Sequence, residues 1–337
     1  MRAVAYKTPQ PISAETSLID VDLPVPEAKG HDLLVEIKAV SVNPVDTKVR
    51  AGVTPAGDEL KVLGWDAAGI VKAVGPDVTL FKAGDEVYYA GAVNRPGSNA
   101  EFHLVDECIV GRKPKSLDFA AAAALPLTSI TAYETLFDRL KVQDPVPGGA
   151  RSLLVIGGAG GVGSITIQIA RALTDLTIIA TASRPETQEW VKELGAHHVV
   201  DHSRPIAPQI AELGIGAPGF IFSTTNTDSH IANIVEAIAP QGRFALIDDP
   251  KVLDVVPFKR KSVSVHWELM FTRSLFSTPD MIEQHKLLNK ISELVDSGKI
   301  RTTLSETVGT INAANLKKAH GMIESGRMKG KAVLAGF

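Results

Sequence analysis

The chain has 337 residues, a formal net charge of −3, and a composition that is 45% hydrophobic and 22% charged. That length suits two domains of ordinary size, and so small a net charge offers no electrostatic footprint for nucleic acid or an anionic membrane. The one cysteine, Cys108, excludes an internal disulfide framework and any multi-cysteine zinc site.

Residues 1 to about 125 read as β-rich and irregular. Met1–Lys7 reads as a strand and lacks the apolar core of a signal peptide, and no run reaches the ~18 apolar residues of a membrane span, so a cytoplasmic setting is expected. Short alternating or apolar runs at Asp32–Val40 and Ala67–Val74 are punctuated by Pro24, Pro26, Gly30, Gly75-Pro76 and Gly84-Asp85. The pattern predicts a compact, barrel-like β domain. A helical stretch then begins at Ala120–Ala124 and leads through Leu125-Pro126 to Thr131–Phe137.

From Ser152 the rhythm changes to alternating strands and helices. The apolar run to Ile156 passes directly into a glycine cluster holding G-x-G-x-x-G at Gly158, Gly160 and Gly163. In a dinucleotide site such glycines make a tight turn, admit a pyrophosphate to the backbone, and let helix and strand pack closely. Gly161 and Val162 lie in the first turn of the helix, whose N-terminus favours a diphosphate. The spacing alone is weak evidence. Its context is stronger: Val162, Ile165, Ile169 and Leu173 recur at helical spacing, and Leu176–Thr181 supplies the next strand.

An NAD-preferring site usually carries an acid about 20 residues beyond the glycines. Here the second strand runs into Ala182-Ser183-Arg184-Pro185, with no acid. Ser183 and Arg184 can hydrogen-bond a 2′-phosphate, which favours NADPH; alternatively, Ser183 caps the helix opening at Pro185 and Arg184 is merely solvated. His202, after the strand His198–Asp201, is a further candidate for the phosphate pocket. Strands at Gly219–Ser223, Arg243–Ile247 and Ser262–Trp267, and a helix at Asp228–Ala239, complete a doubly wound parallel sheet. Helices at about 280–297 and 312–325 and a strand at Lys331–Ala335 are expected to return to the first domain, leaving a cleft between the two.

Ser41–Asp46, Gly64–Val71, Gly84–Val87 and the glycine loop together resemble the medium-chain dehydrogenase/reductase superfamily. Asn43 with Asp46, and Ala159–Gly163, resemble its NADPH:quinone oxidoreductase branch. His266–Arg273 and Ile247–Pro250 resemble the subgroup labelled zinc-type alcohol dehydrogenase-like. The resemblance implies an α/β chain with a GroES-like β-rich catalytic domain over 1–127 and 272–337 and a Rossmann domain over 128–271. It also implies a homodimer formed through the edge strand Ser262–Trp267.

In zinc-bearing relatives Cys, His and Cys hold the catalytic metal. The matching positions here carry Asn43, Trp65 and Leu127, and Tyr88–Asn99 lacks the cysteines of a structural zinc lobe, so no zinc is expected. Without a Lewis acid, electron-poor substrates suit hydride transfer best. The expected function is NADPH-dependent reduction of a quinone or α,β-unsaturated carbonyl. A zinc-type alcohol dehydrogenase and an NADPH-binding, crystallin-like protein without turnover are the alternatives.

The same resemblance suggests roles for single residues. Thr131 is expected beside the nicotinamide, or else in a helix core. Asn43 is expected to donate to the substrate oxygen, or else to satisfy loop backbone. Asp46 is expected to orient Asn43 or Lys48, or to hold a turn. Lys48 stands where relatives often have a tyrosine, and could donate a proton only if it points inward. Trp65 is expected to narrow the pocket and stack on flat substrates, or else to pack in the core. Ser223 and Thr224 are expected to line the cofactor cleft, Ile247 to face the carboxamide through its backbone, and Lys331 to lie near the cofactor.

Overall fold

The computed structural model describes every residue from Met1 to Phe337 and divides into two compact units, Met1–Ile130 with Phe271–Phe337, and Thr131–Met270. The first unit opens with β1 (Arg2–Tyr6), β2 (Ile19–Asp22), β3 (Asp32–Ser41), α1 (Pro44–Gly52), β4 (Lys61–Val62), β5 (Ala67–Val74), β6 (Glu86–Tyr89), β7 (Phe102–Asp106), β8 (Val110–Arg112) and α2 (Phe119–Ala123). Along β3 every second residue (Leu33, Val35, Ile37, Ala39) is buried, which places one face of the strand on the core. The strand pairs antiparallel with both β5 and β7.

Helix α1 interrupts the otherwise β-rich segment and was not anticipated. Its start follows from local chemistry: Asn43 is the N-cap, Pro44 occupies the first helical position, and the Asp46 carboxylate accepts the Asn43 backbone N–H at 2.7 Å. Helix α3 (Pro126–Tyr133) contains the point where the chain passes from the first unit to the second. A wider turn over Glu134–Arg139 continues it, with the Leu140 N–H donating to the Thr135 carbonyl at 2.8 Å.

The second unit runs β9 (Ala150–Ile156), α4 (Gly161–Leu173), β10 (Thr177–Thr181), α5 (Pro185–Glu193), β11 (His198–Val200), α6 (Ile206–Glu212), β12 (Pro218–Ser223), α7 (Thr227–Ala237), β13 (Arg243–Leu246) and β14 (Ser264–Trp267). These six strands lie in the order β11-β10-β9-β12-β13-β14, and every pair is parallel. This is the doubly wound sheet expected from the strand–helix rhythm. Its strands read as nearly continuous apolar runs because helices cover both faces. Leu154, Ile156, Ile179, Ile221, Phe244 and Leu246 share one cluster, and none of these six is more than 1% exposed. Each contributes roughly 1.5–3 kcal/mol by leaving water.

The chain then returns to the first unit with α8 (Thr272–Leu275), α9 (Ile282–Asp296), β15 (Leu304–Gly309), α10 (Ala313–Glu324) and β16 (Lys331–Ala335). Strand β16 pairs antiparallel with β3, setting Val333 opposite Ser41 and Leu334 opposite Val40. Tyr88 donates its hydroxyl to the Leu288 carbonyl at 2.5 Å, fixing α9 against β6.

Strand order reverses between β9 and β12, so the glycine loop after β9 lies at the switch point of the sheet, where such folds bind ligands. The left-handed turn falls on Gly157, with φ +80°, rather than on Gly158. A Cβ on Gly163 would collide with the Gly157 carbonyl oxygen and lie 2.7 Å from Gly158 Cα, so only glycine lets α4 sit this close to the loop. Gly163→Ala is expected to destabilise the protein by about 1–3 kcal/mol in urea unfolding. Gly160→Ala, whose added Cβ would meet nothing nearer than Gly157 O at 3.5 Å, should lose less.

Candidate functional site

Two groups of residues carry the candidate chemistry, one in each unit. In the second unit, the loop Gly157–Gly160 leaves β9 and opens α4. Gly157 donates its N–H to Thr181 Oγ1 at 3.0 Å, and Gly158 donates to the Thr181 carbonyl at 3.2 Å. Thr224 returns a hydroxyl to the Ile156 carbonyl at 2.9 Å. These bonds shape the loop from three strand ends. Gly161, Val162 and Gly163 form the first turn of α4, where N–H groups precede the first intrahelical acceptor. A side chain at Gly160 would stand over the loop in open space that its absence leaves to an incoming ligand. The cradle therefore fits a pyrophosphate.

Ser183 and Arg184 are half-buried between β10 and α5. Ser183 does not cap the helix. Arg184 is the N-cap residue, with its N–H donating to Thr187 Oγ1 at 3.3 Å, and its guanidinium lies 3.3 Å from Glu186. His202 Nδ1 lies 3.3 Å from Thr181 Oγ1, and its ring meets His230 of α7 edge-on at 6.2 Å. Burial, then the nearby Arg184 charge, lowers the His202 pKa, and Asp201 opposes that shift.

Ser223 and Thr224 do stand at the end of β12, and Ile247 follows β13 half-buried. Thr227 Oγ1 lies 2.8 Å from Ser223 Oγ and 2.5 Å from Asp248 Oδ1, and the Asp248 carboxylate also accepts the Thr227 N–H at 2.8 Å. Asp248 thus caps α7. Thr131 is buried on α3, and its carbonyl accepts the Thr135 hydroxyl at 2.7 Å. His230 and Thr181 carried no assigned role in the sequence; only their placement at strand and helix ends distinguishes them.

In the first unit, the decisive feature is a buried ionic cluster. The Lys331 ammonium, at the start of β16, donates to Asp66 Oδ2 at 3.0 Å, to the Val42 carbonyl at 3.0 Å and to Asn43 Oδ1. An ammonium has three donors, and all three are taken within this unit, which removes Lys331 from the cofactor contacts expected of it. Asp66 is fully buried; its Oδ2 also accepts the Asn43 amide at 2.8 Å and its Oδ1 the Leu127 N–H at 2.8 Å. The sequence signal for Asp66 was an acid set against the apolar run that follows Trp65, a position that requires a partner.

Asn43 is therefore a bridge between Lys331 and Asp66, 1% exposed, and not the donor to a substrate oxygen that was expected. Asp46 orients the Asn43 backbone, as one of its anticipated roles required. Burial pushes the Asp46 pKa up to about 7, with the Asn43 N–H and Lys331 opposing and Asp66 adding to the rise. Burial likewise raises the Asp66 carboxyl, against the pull of Lys331 and of the donors on it.

One further expectation is corrected, that for Trp65. Trp65 is 1% exposed, gives its indole N–H to the Ala92 carbonyl at 3.2 Å, and meets Phe271 edge-on at 6.2 Å, so it packs the core of this unit rather than offering a stacking face. Lys48 is exposed on α1.

The positions that carry zinc ligands in metal-bearing relatives do not fit the ion here. The Trp65 indole and the Leu127 side chain offer no lone pair, the Asn43 carbonyl oxygen is engaged by an ammonium, and no group of three or more His, Cys, Asp or Glu converges to hold a metal.

Residues 29–115 match the alcohol dehydrogenase GroES-like domain, and residues 161–291 match the zinc-binding dehydrogenase family. The chain is 43% identical over 312 residues to a zinc-type alcohol dehydrogenase-like protein of Staphylococcus aureus (strain MSSA476), covering 92% of each. This chain belongs to the medium-chain dehydrogenase/reductase superfamily. Its β-rich unit carries the GroES-like domain, its parallel sheet is Rossmann-like, and it is an oxidoreductase of that superfamily. A solved structure from Rhizobium etli CFN 42, assigned as a zinc-dependent alcohol dehydrogenase protein, superposes with a TM-score of 0.99 at 66% identity, covering 100% of this chain and 98% of that one. The NADPH-dependent alkenal/one oxidoreductase of Arabidopsis thaliana is 39% identical over 250 residues, covering 70% of this chain and 63% of that protein. No helix is long and apolar enough to cross a membrane.

Replacing Lys331 by Met leaves the Asp66 carboxylate buried without its counter-charge. The variant is expected to lose about 3–5 kcal/mol in chemical unfolding. Adding Asp66→Asn to Lys331→Met should recover part of that loss, because the buried charge disappears with its partner.

Proposed function

We propose that this chain is a zinc-independent, NADPH-dependent oxidoreductase that transfers hydride to a quinone or α,β-unsaturated carbonyl. The observation that carries this reading is the ammonium-centred cluster of Lys331, Asp66 and Asn43 beside ligand positions that hold no metal donors. Without an ion to polarise an alcohol, the substrate must already be electron-poor. The alkenal/one reductase relative supports that substrate class. Ser183, Arg184 and His202 at the ends of β10 and β11 support NADPH, since a 2′-phosphate would meet a guanidinium and an imidazole there and no acid at the end of β10.

The glycine cradle would hold the pyrophosphate, and Thr131, Ser223, Thr224 and Ile247 would flank the nicotinamide end. Bound there, the dihydronicotinamide supplies a hydride. That hydride would form a C–H bond at an electron-poor carbon of the substrate, with the displaced π electrons taken up on the carbonyl oxygen and the proton supplied by water. The lone Cys108 supports a cytoplasmic setting.

The test is loss of reduced-cofactor absorbance with a panel of alkenals, enones and quinones, using protein pretreated with chelator. Turnover with NADPH that survives chelation is the expected result. Activity confined to alcohols and abolished by chelation would favour zinc chemistry, and tight NADPH binding without any turnover would favour a purely binding role. Arg184→Ala should weaken NADPH relative to NADH by about 1.5–3 kcal/mol; equal losses would remove Arg184 from the phosphate pocket.

We also propose a homodimer that pairs the β14 edges across a two-fold axis. Support comes from β14 lying at the end of the sheet order with Trp267 54% exposed. Ser264 N–H and Glu268 N–H bond inward to Gly242 and Leu246 at 3.1 and 3.0 Å, so the Val265 N–H faces outward. Light scattering should report twice the 35.8 kDa chain mass, and Val265→Pro should shift it toward the monomer.

A further inference from the structure

Near the C-terminal ends of β10 and β11 the second unit gathers three cationic or protonatable side chains. His202 follows β11, His230 lies in the first turns of α7, and Arg184 opens α5. The two imidazoles meet at 6.2 Å with their planes 69° apart. Thr181 Oγ1 accepts the Gly157 N–H at 3.0 Å and lies 3.3 Å from His202 Nδ1. One threonine thus joins the pyrophosphate loop to the histidine pair.

We propose that His202 and His230 form a proton-coupled clamp for the 2′-phosphate of NADPH, in which binding the phosphate draws a proton from solvent onto the pair. The inference rests on the NADPH reading above and adds to it a residue, His230, and a coupling. The charged groups around the pair are few. Asp201 and Arg184 face His202, and Asp248 and Asp228 face His230. Asp201 is already committed to the Ser203 N–H and hydroxyl, at 2.8 and 2.7 Å, and Asp248 to Thr227, so neither acid forms a direct ion pair with an imidazole.

Burial lowers the pKa of both rings; Asp201 opposes and Arg184 adds to the shift of His202, while a protonated His202 would add to that of His230 against Asp248 and Asp228. In the free protein the pair is therefore neutral at pH 7.5. A phosphate dianion reverses this balance, since an adjacent negative charge favours the imidazolium. The sign follows: the liganded pKa lies above the free one, so the extra affinity is largest below the free pKa and fades as pH rises through the liganded pKa. The phosphate itself, with its second pKa near about 6, is already a dianion at pH 7.5 and takes up no proton there. Any uptake at that pH belongs to the protein.

The experiment is isothermal titration calorimetry of the full chain with NADPH and with NADH at pH 7.5, in two buffers of different protonation enthalpy. Proton uptake with NADPH and none with NADH is expected. From pH 8.5 to 6.5 the NADPH-over-NADH affinity ratio should rise by about threefold, since pH 6.5 still lies above the free pKa and the tenfold that one unit of pKa shift can give is reached only below it. In His202→Asn with His230→Gln both effects should vanish, and each single variant should lose part of the uptake. NADPH bound in preference to NADH but with no proton uptake by the wild-type chain would overturn the clamp and leave the cofactor reading intact. Undiminished uptake in the double variant would also overturn it. NADPH bound no more tightly than NADH at any pH would remove the cofactor reading and the clamp together.

Discussion

A lysine ammonium and an aspartate carboxylate, 3% and 0% exposed, meet at 3.0 Å inside the β-rich unit, and much of that unit is arranged to keep them satisfied. Neither charge could be buried alone. Lys331 brings the start of β16, Asp66 the approach to β5, Asn43 the cap of α1, and Leu127 the first turn of α3. Four segments distant in sequence are thereby fixed at one point. Asp46 adds a second acid, whose pKa burial raises to about 7.

The second unit follows a different rule. Its parallel strands end together, and what they present there is backbone and short hydroxyls rather than buried charge. Gly157, Gly158 and Gly163 let the loop and α4 close on the sheet, while Thr181 and Thr224 tie that loop to neighbouring strand ends. A rigid frame with an open N-terminal helix turn results. One unit buries its polar chemistry; the other exposes it.

Patterns that depend on burial alone were legible in the chain. The parallel strands showed as apolar runs, the glycine spacing marked the loop, and Lys331–Ala335 was readable as a strand to the residue. Side-chain direction was not legible. Lys331 reads as an ordinary basic residue after Gly330, and only the fold reveals that its three donors converge on Val42, Asn43 and Asp66. Trp65 looks like an aromatic wall until its N–H is found on the Ala92 carbonyl. Helix α1 was hidden because its apolar positions are few and its stability comes from Asn43, Pro44 and Asp46 at its start. Ser183 has the chemistry of a cap, yet the backbone turns one residue later, at Arg184. His230 belongs to the pair only because α7 begins beside the end of β11.

The pairing of β16 with β3 has a consequence for how the chain is made. Ser41 donates its hydroxyl to the Ala332 carbonyl, a closure spanning 291 positions, and the sheet that holds β3 is incomplete until that segment leaves the ribosome. The parallel-sheet unit lies wholly within that interval, with all six strands supplied by then. During synthesis the inserted unit can mature first, while β3, already paired with β5 and β7, waits with only its Ala39–Ser41 end unpartnered.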